Sequence, residues 1–343
     1  MATVRFGDDD RPQQAVALVL LESCGALDLA LDRRHPQCGG VVLSEVGGGQ
    51  AGGAQQVADR SRRRRRCHLD FGCGGVHVVH DGAREGPRWF RATDPGGPYT
   101  GWMDHVTAYQ HAHDRVAGLV EQYPDAPVDT CPGWRVRDVA AHLTGLASDW
   151  GSGNLDGYAS DPWTAVQVDD RRQVAVAELL IEWDDKAALL EPILSDPTAT
   201  GLPDPLMTAF GPVPAVAWPD VVVTDIALHE HDIRGAVDEP GARDSAAVLI
   251  AMRSHVSLLR FVGSAMGLPV LRIEPTDHEK SYPVGRGEPA AVVRAPLFDL
   301  FRATGGRRSQ DQIDAFDWSG DADQWRLHIV MPSYRAPAEP VVE

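Results

Sequence analysis

A chain of 343 residues has room for two domains, and a hydrophobic share of 43% is ordinary for a globular protein. The net charge of −17 sits almost wholly beyond residue 102: 13 Arg face 12 Asp and Glu before that point, and 19 Lys and Arg face 37 acidic residues after it. So acidic a body repels phosphate backbones, which argues against nucleic acid as a partner.

The longest apolar run near the N-terminus, Ala15–Leu21, falls far short of the ~20 residues that a membrane span requires. Asp8, Asp9 and Asp10 stand where a signal peptide would be basic, so neither a leader nor a membrane partner is expected. Of the five cysteines (Cys24, Cys38, Cys67, Cys73 and Cys131), only Cys131 lies beyond residue 102, so that part cannot form an internal disulfide. This fits a cytoplasmic location.

Residues 1–102 hold glycine clusters (Gly47–Gly49, Gly52, Gly53) beside an arginine run, Arg62–Arg66, and sustain no helical or strand period. They read as a disordered or spurious extension, with Met103 as the effective start; a nucleic-acid arm is the competing reading of the arginines. Cys67, Cys73, His77 and His80 match no zinc-finger spacing.

Helical periodicity begins at Met103. Val106, Tyr109, His113, Val116, Val120 and Tyr123 follow a spacing of three to four and predict a first helix, ended by Pro124 and Pro127. A second helix is predicted from Val136 to Trp150 and a third from Asp169 to Leu194. A fourth runs from Asp220 to Val237, and a fifth from Ser245 to Met266, closed by Gly267. Beyond it, Val270–Ile273, Ala290–Val293 and Trp325–Val330 read as strands, and Pro296–Thr304 and Ser309–Asp317 as short helices. The expected fold is mainly α with a smaller α/β part: a four-helix bundle over 103–242, then a small α/β domain over 243–337. The fifth helix belongs to the second domain or bridges the two.

His142 falls beside the apolar stripe of the second helix. Asp225 and His229, four apart, share one face of the fourth. Two packed helices can bring these three side chains to one point, and three protein ligands with an open position make a catalytic zinc arrangement. Zinc is the leading choice among first-row divalent ions. By spacing alone, Asp225 and His229 read equally well as a helix ion pair, and His142 as a core histidine.

The residues around these positions carry more information. Cys131-Pro132-Gly133-Trp134 through Asp138 to His142-Leu143, and His229-Glu230-His231-Asp232-Ile233-Arg234-Gly235-Ala236, resemble two motifs of the mycothiol-dependent maleylpyruvate isomerase family. Arg294-Ala295-Pro296, Phe301-Arg302 and Gly306–Ser309 resemble its C-terminal segment, so the likeness spans about residues 103–335. It implies a DinB-like four-helix bundle with His142, Asp225 and His229 on a divalent metal, and mycothiol as thiol cosubstrate. It also implies a small anionic electrophile as substrate, and a C-terminal arginine near the metal. Arg302, Arg307 and Arg308 are the candidates, because a guanidinium grips a carboxylate bidentately. The isomerase carries Glu where this chain has Asp225, one methylene shorter, so the carboxylate must come closer.

The chemistry so implied is cis–trans isomerisation or S-transfer, with the metal activating the thiol; a non-catalytic metal-binding or sensing module is the alternative. Asp232, one turn beyond His229, reads as an orienting or capping acid, and Asp138 as a first-turn acid. His113 reads as a core histidine, Cys131 as structural, Trp134 as a packing anchor, and Glu230 and His231 as surface or interdomain residues.

Overall fold

The computed structural model describes residues 2–4, 41–45, 65–70, 75–80, 104–208 and 211–343. The chain divides into two compact units, Met1–Arg91 and Ala92–Glu343.

In the first unit, β1 (Ala2–Val4), β2 (Val41–Glu45), β3 (Arg65–Asp70) and β4 (Gly75–His80) form an antiparallel sheet in that order. The expectation of a structureless segment is therefore corrected where these strands run. They span three to six residues each, too short for a period of two to stand out in sequence. Arg62–Arg64 and Cys73 lie outside the described residues.

The second unit is mainly α with a smaller α/β part. Its bundle consists of α1 (His105–Gln122), α2 (Val136–Ser152), α4 (Val176–Ala187) and α6 (Trp218–Val237), with α3 (Asp161–Asp169) and α5 (Glu191–Ser195) between them. Asp104 starts α1 by accepting from the Thr107 amide at 3.2 Å. Gly153, in the left-handed region at φ 74°, ends α2. Trp150, Trp183 and Trp218 are wholly buried between these helices.

The predicted third helix is broken. Ser160 and Pro162 start α3 earlier, and Pro192 opens α5. Between α3 and α4, Arg137 reaches across from α2 to donate to the carbonyls of Arg172 (3.4 Å) and Val174 (2.5 Å), satisfying groups that a continuous helix would have used itself. A short hairpin, β5 (Leu206–Thr208) with β6 (Gly211–Val213), precedes α6.

Helix α7 (Ala246–Met266), capped by Ser245 and closed by Gly267 at φ 65°, packs on α6 and α1 and also against the α/β part. Among the described residues it is the one helix long and apolar enough to cross a membrane, yet 61% of its most apolar window is buried within the protein, as in a core helix.

The following sheet has the order β10-β9-β7-β8. Strand β7 (Leu271–Pro275) runs parallel to β9 (Ala291–Ala295), and β8 (Tyr282–Val284) and β10 (Asp317–Gly320) are antiparallel edges. Helices α8 (Leu297–Thr304), α9 (Gln310–Asp314) and α10 (Asp323–His328) complete it. The expected strand at Trp325–Val330 is thus a correction: the fourth strand is Asp317–Gly320, and Trp325 lies on a helix. Its ring is buried against α7, where a Cβ on Gly263 would meet Trp325 Cη2 at 2.8 Å, and its Nε1 donates to the Pro269 carbonyl at 2.7 Å.

His255 on α7 joins the two parts. It is buried, its Nδ1 lies 2.7 Å from Thr304 Oγ1 on α8, and its ring stacks on Phe301. Burial, then the charges of Arg307 and Arg302, press its pKa down to about 3. The unfolded chain therefore binds a proton that the folded chain refuses between about pH 6.5 and 3. Stability from this group is complete above pH 6.5 and is lost as pH falls, by about 3 kcal/mol at pH 4. Denaturant unfolding at pH 7 and pH 4 will show that loss in the natural protein and a smaller one in His255→Gln.

Candidate metal centre

The loop before α2 is built around Cys131–Trp134. Trp134 N donates to the Cys131 carbonyl (2.9 Å), Val128 N donates to the Trp134 carbonyl (2.9 Å), and Gly133 takes φ 84°. Asp138 accepts from the Arg135 amide at 2.9 Å and so acts as a cap at the start of α2. This loop lays the Trp134 ring over His142 and His229, with centroids 5.4 and 6.2 Å away.

His142 on α2 and Asp225 and His229 on α6 bring one ligand atom each to within 4.8 Å of one another. His142 Nε2 and Asp225 Oδ2 are 3.2 Å apart, close to the edge of a tetrahedron with bonds of about 2.0–2.1 Å. The shorter aspartate thus reaches the histidine. Asp225 Oδ2 is enclosed and has no hydrogen-bond partner. A buried carboxylate oxygen facing two imidazoles, with no donor of its own, is a fitting ligand for a cation.

The outer faces of both rings are fixed. Gln167 Nε2 on α3 donates to Asp149 Oδ2 at 2.7 Å, so its Oε1 is the atom facing His142 Nδ1 at 2.7 Å. That nitrogen must carry the hydrogen, leaving the lone pair on Nε2, toward Asp225. Asp232 Oδ2 lies 3.1 Å from His229 Nδ1 and puts the His229 lone pair on Nε2 in the same way. Ligand histidines are commonly held like this by an amide or carboxylate behind the ring.

The electrostatics follow from this arrangement. Burial alone would lower the His142 pKa, but the charge and hydrogen bonding of Asp225 outweigh it and raise it above the usual imidazole range. Burial works against the charged form of Asp225, while His142 and His229 hold it below the usual carboxylate range. Asp232 is held well below that range by Arg307 and Arg302, against its burial.

Cys131, His229 and Asp232 form a second close group, with Cys131 Sγ 3.8 Å from His229 Nδ1 and 3.5 Å from Asp232 Oδ2. Two arginines already balance the Asp232 charge, and burial keeps the Cys131 thiol protonated. This group suits orientation of His229 better than an ion of its own.

The three C-terminal arginines are paired. Arg302 is wholly buried, with Asp232 Oδ1 at 2.8 Å, the Leu228 carbonyl at 3.1 Å and Glu343 Oε2 at 2.9 Å. Arg307 grips Asp232 bidentately at 3.1 and 2.8 Å, and Arg308 holds Asp299 and Glu343. The sequence pattern marked them as substrate cations; the fold places Arg302 and Arg307 on the carboxylate behind His229.

Glu230 and His231 are not surface residues. Glu230 is wholly buried between Arg115 (2.7 Å twice) and Arg234 (3.0 Å). His231 is enclosed against Phe298 of α8, with ring centroids 4.6 Å apart. His113 packs on Trp183 within the bundle, away from the centre.

Gln167 carried no sequence signal. It lies 25 residues from His142 and reaches it only because Gly145 lets α3 approach α2: a Cβ on Gly145 would meet Gln167 Cβ at 2.4 Å. Gln167→Leu is expected to weaken divalent-metal affinity about 10–100-fold with the fold intact, read by competition with a chromogenic chelator.

Fold and site together define a helical bundle with a buried histidine–carboxylate cluster suited to a divalent cation. Residues 105–234 match the mycothiol maleylpyruvate isomerase N-terminal domain, and this segment belongs to that family. Two solved structures are also similar: the mycothiol-dependent maleylpyruvate isomerase and a histidine-to-alanine mutant of it. They share 18% and 17% identity with this chain, cover 63% of it and 91% of their own chains, and each give a TM-score of 0.43. No curated protein matches the chain.

Proposed function

We propose that this protein is a mycothiol-dependent enzyme of the maleylpyruvate isomerase type, with a divalent metal, zinc first among candidates, on His142, Asp225 and His229. The observation carrying this reading is the convergence of the three ligand atoms around an Asp225 oxygen that has no other partner. A cation held there supplies positive charge that lowers the pKa of a bound thiol, serving cis–trans isomerisation or S-transfer on a small anionic electrophile.

The chain's own residues prepare that site. Gln167 and Asp232 hold the two imidazoles in the tautomers that present Nε2. Trp134 covers both rings and excludes water from one side. Arg307, on Asp232, adds positive potential that also lowers the pKa of Asp225.

A non-catalytic metal-binding module is favoured by one observation: Arg302, Arg307 and Arg308 are all committed to carboxylates, which leaves none of these three free for a substrate. Loading the full chain with zinc and titrating it with mycothiol separates the two readings. Thiol binding that needs metal supports the enzyme; stoichiometric zinc with no thiol binding supports the module and overturns the enzyme.

A further inference from the structure

A cavity of about 180 Å³ opens beside the C-terminal end of α6 and the start of α8, lined by His231, Arg234, Arg243, Phe298 and Glu343 among others. A packing defect would be walled by aliphatic side chains and stay dry. This one has two guanidinium walls. His231, only 2% exposed, lines it with an Nε2 that finds no hydrogen-bond partner.

One side chain already enters. The Glu343 carboxylate accepts from Arg302 Nε at 2.9 Å and Arg308 Nη1 at 3.0 Å and pairs with Arg302 Nη2, while Arg243 donates to the Glu343 main-chain oxygen. Gln312 grips the segment from the side, donating to the Val341 carbonyl (2.8 Å) and accepting from the Val341 amide (3.0 Å). A Cβ on Gly235 would come within 2.9 Å of Glu343 Cγ, so α6 is shaped to admit this side chain.

We propose that this cavity is a binding site for a small carboxylate, separate from the metal centre, with the Glu343 side chain as its resident occupant. The argument is one of charge at full burial. Arg302 and Arg307 share the single carboxylate of Asp232, so one positive charge in that pair is unbalanced until Glu343 arrives. A buried guanidinium left short of its partner is strongly destabilised, and a free carboxylate presenting the same two oxygens restores the balance. The space beside Glu343 is about six times the ~30 Å³ share of a liquid water, enough for acetate or propionate. His231 Nε2 offers a neutral polar contact at its wall.

The test uses the full chain stripped of metal, so that its outcome is independent of the metal reading. Thermal unfolding of the natural protein and of Glu343→Ala is followed in sodium chloride and in sodium acetate at equal ionic strength. Glu343→Ala is expected to lose about 5 °C or more in chloride. Acetate should restore at least half of that loss with a saturating concentration dependence and leave the natural protein unchanged. Adding Arg308→Leu to Glu343→Ala should abolish the rescue. Should Glu343→Ala fail to fold, Glu343→Gln, which keeps the shape and loses the charge, carries the same comparison. The proposal is overturned if the Glu343 variant melts with the natural protein, or if acetate shifts both proteins equally.

Discussion

His142→Ala and His229→Ala will each lose stoichiometric divalent metal, with affinity falling by more than about 100-fold, beyond the cost of losing an orienting partner. Each substitution leaves two ligands and a gap at a buried position. In the His142→Ala protein, Asp225 also loses the imidazole that lies 3.2 Å from its Oδ2. Binding to the folded state stabilises it by mass action, about 4 kcal/mol when free metal exceeds Kd a thousandfold. Zinc should therefore raise the Tm of the natural protein and leave both variants nearly unmoved. Elemental analysis after dialysis gives the stoichiometry, and melting with and without a chelator gives the coupling. Full zinc occupancy in both variants would remove these residues as ligands. Asp225→Asn keeps the shape and one acceptor oxygen but loses the charge, so an intermediate affinity is expected.

The parts of this centre that could be read from sequence are the parts set by local periodicity. Asp225 and His229 are one turn apart on a helix whose ends Pro219 and Pro240 bracket, so their shared face followed from a rise of about 1.5 Å per residue. His142 follows a turn whose Cys-Pro-Gly-Trp run dictates its own geometry. What could not be read depended on approach between elements. Gln167 meets His142 through a glycine notch on α2, and no pattern around Gln167 announces it. The arginines show the same limit from the other side: their cluster was visible, but whether each faced solvent or a buried carboxylate depended on how α8 docks on α6. The alternation in Trp325–Val330 suggested a strand, yet its edge position was taken by Asp317–Gly320, and Trp325 found its place against Gly263 only on a helix. Glu230 was assigned to the surface because a lone charge is rarely buried. Arg115, 115 residues away, makes that burial tolerable with a bidentate pair.

Asp232→Asn will reduce stability and metal affinity together. The carboxylate is wholly buried, and its oxygens serve Arg302, Arg307, His229 and Cys131. Asparagine keeps one acceptor and turns an amide donor toward groups that themselves donate. It also leaves the wholly buried Arg302 with Glu343 as its one remaining carboxylate partner. Breaking a buried pair from one side costs about 3–5 kcal/mol, and a metal-free melt should fall by about 10 °C. His229 loses the acceptor that fixes its tautomer, so zinc affinity should fall about 10–100-fold. The two effects have different origins and can be separated. Asp232→Leu combined with Arg302→Met removes the charges as a pair, which buried pairs often tolerate with little net loss. The double variant should therefore regain much of the melting temperature while its zinc affinity stays low, because nothing then faces His229 Nδ1. Recovery of both would mean that Asp232 acts on the metal only through general stability, and the orienting role of this carboxylate would have to be abandoned.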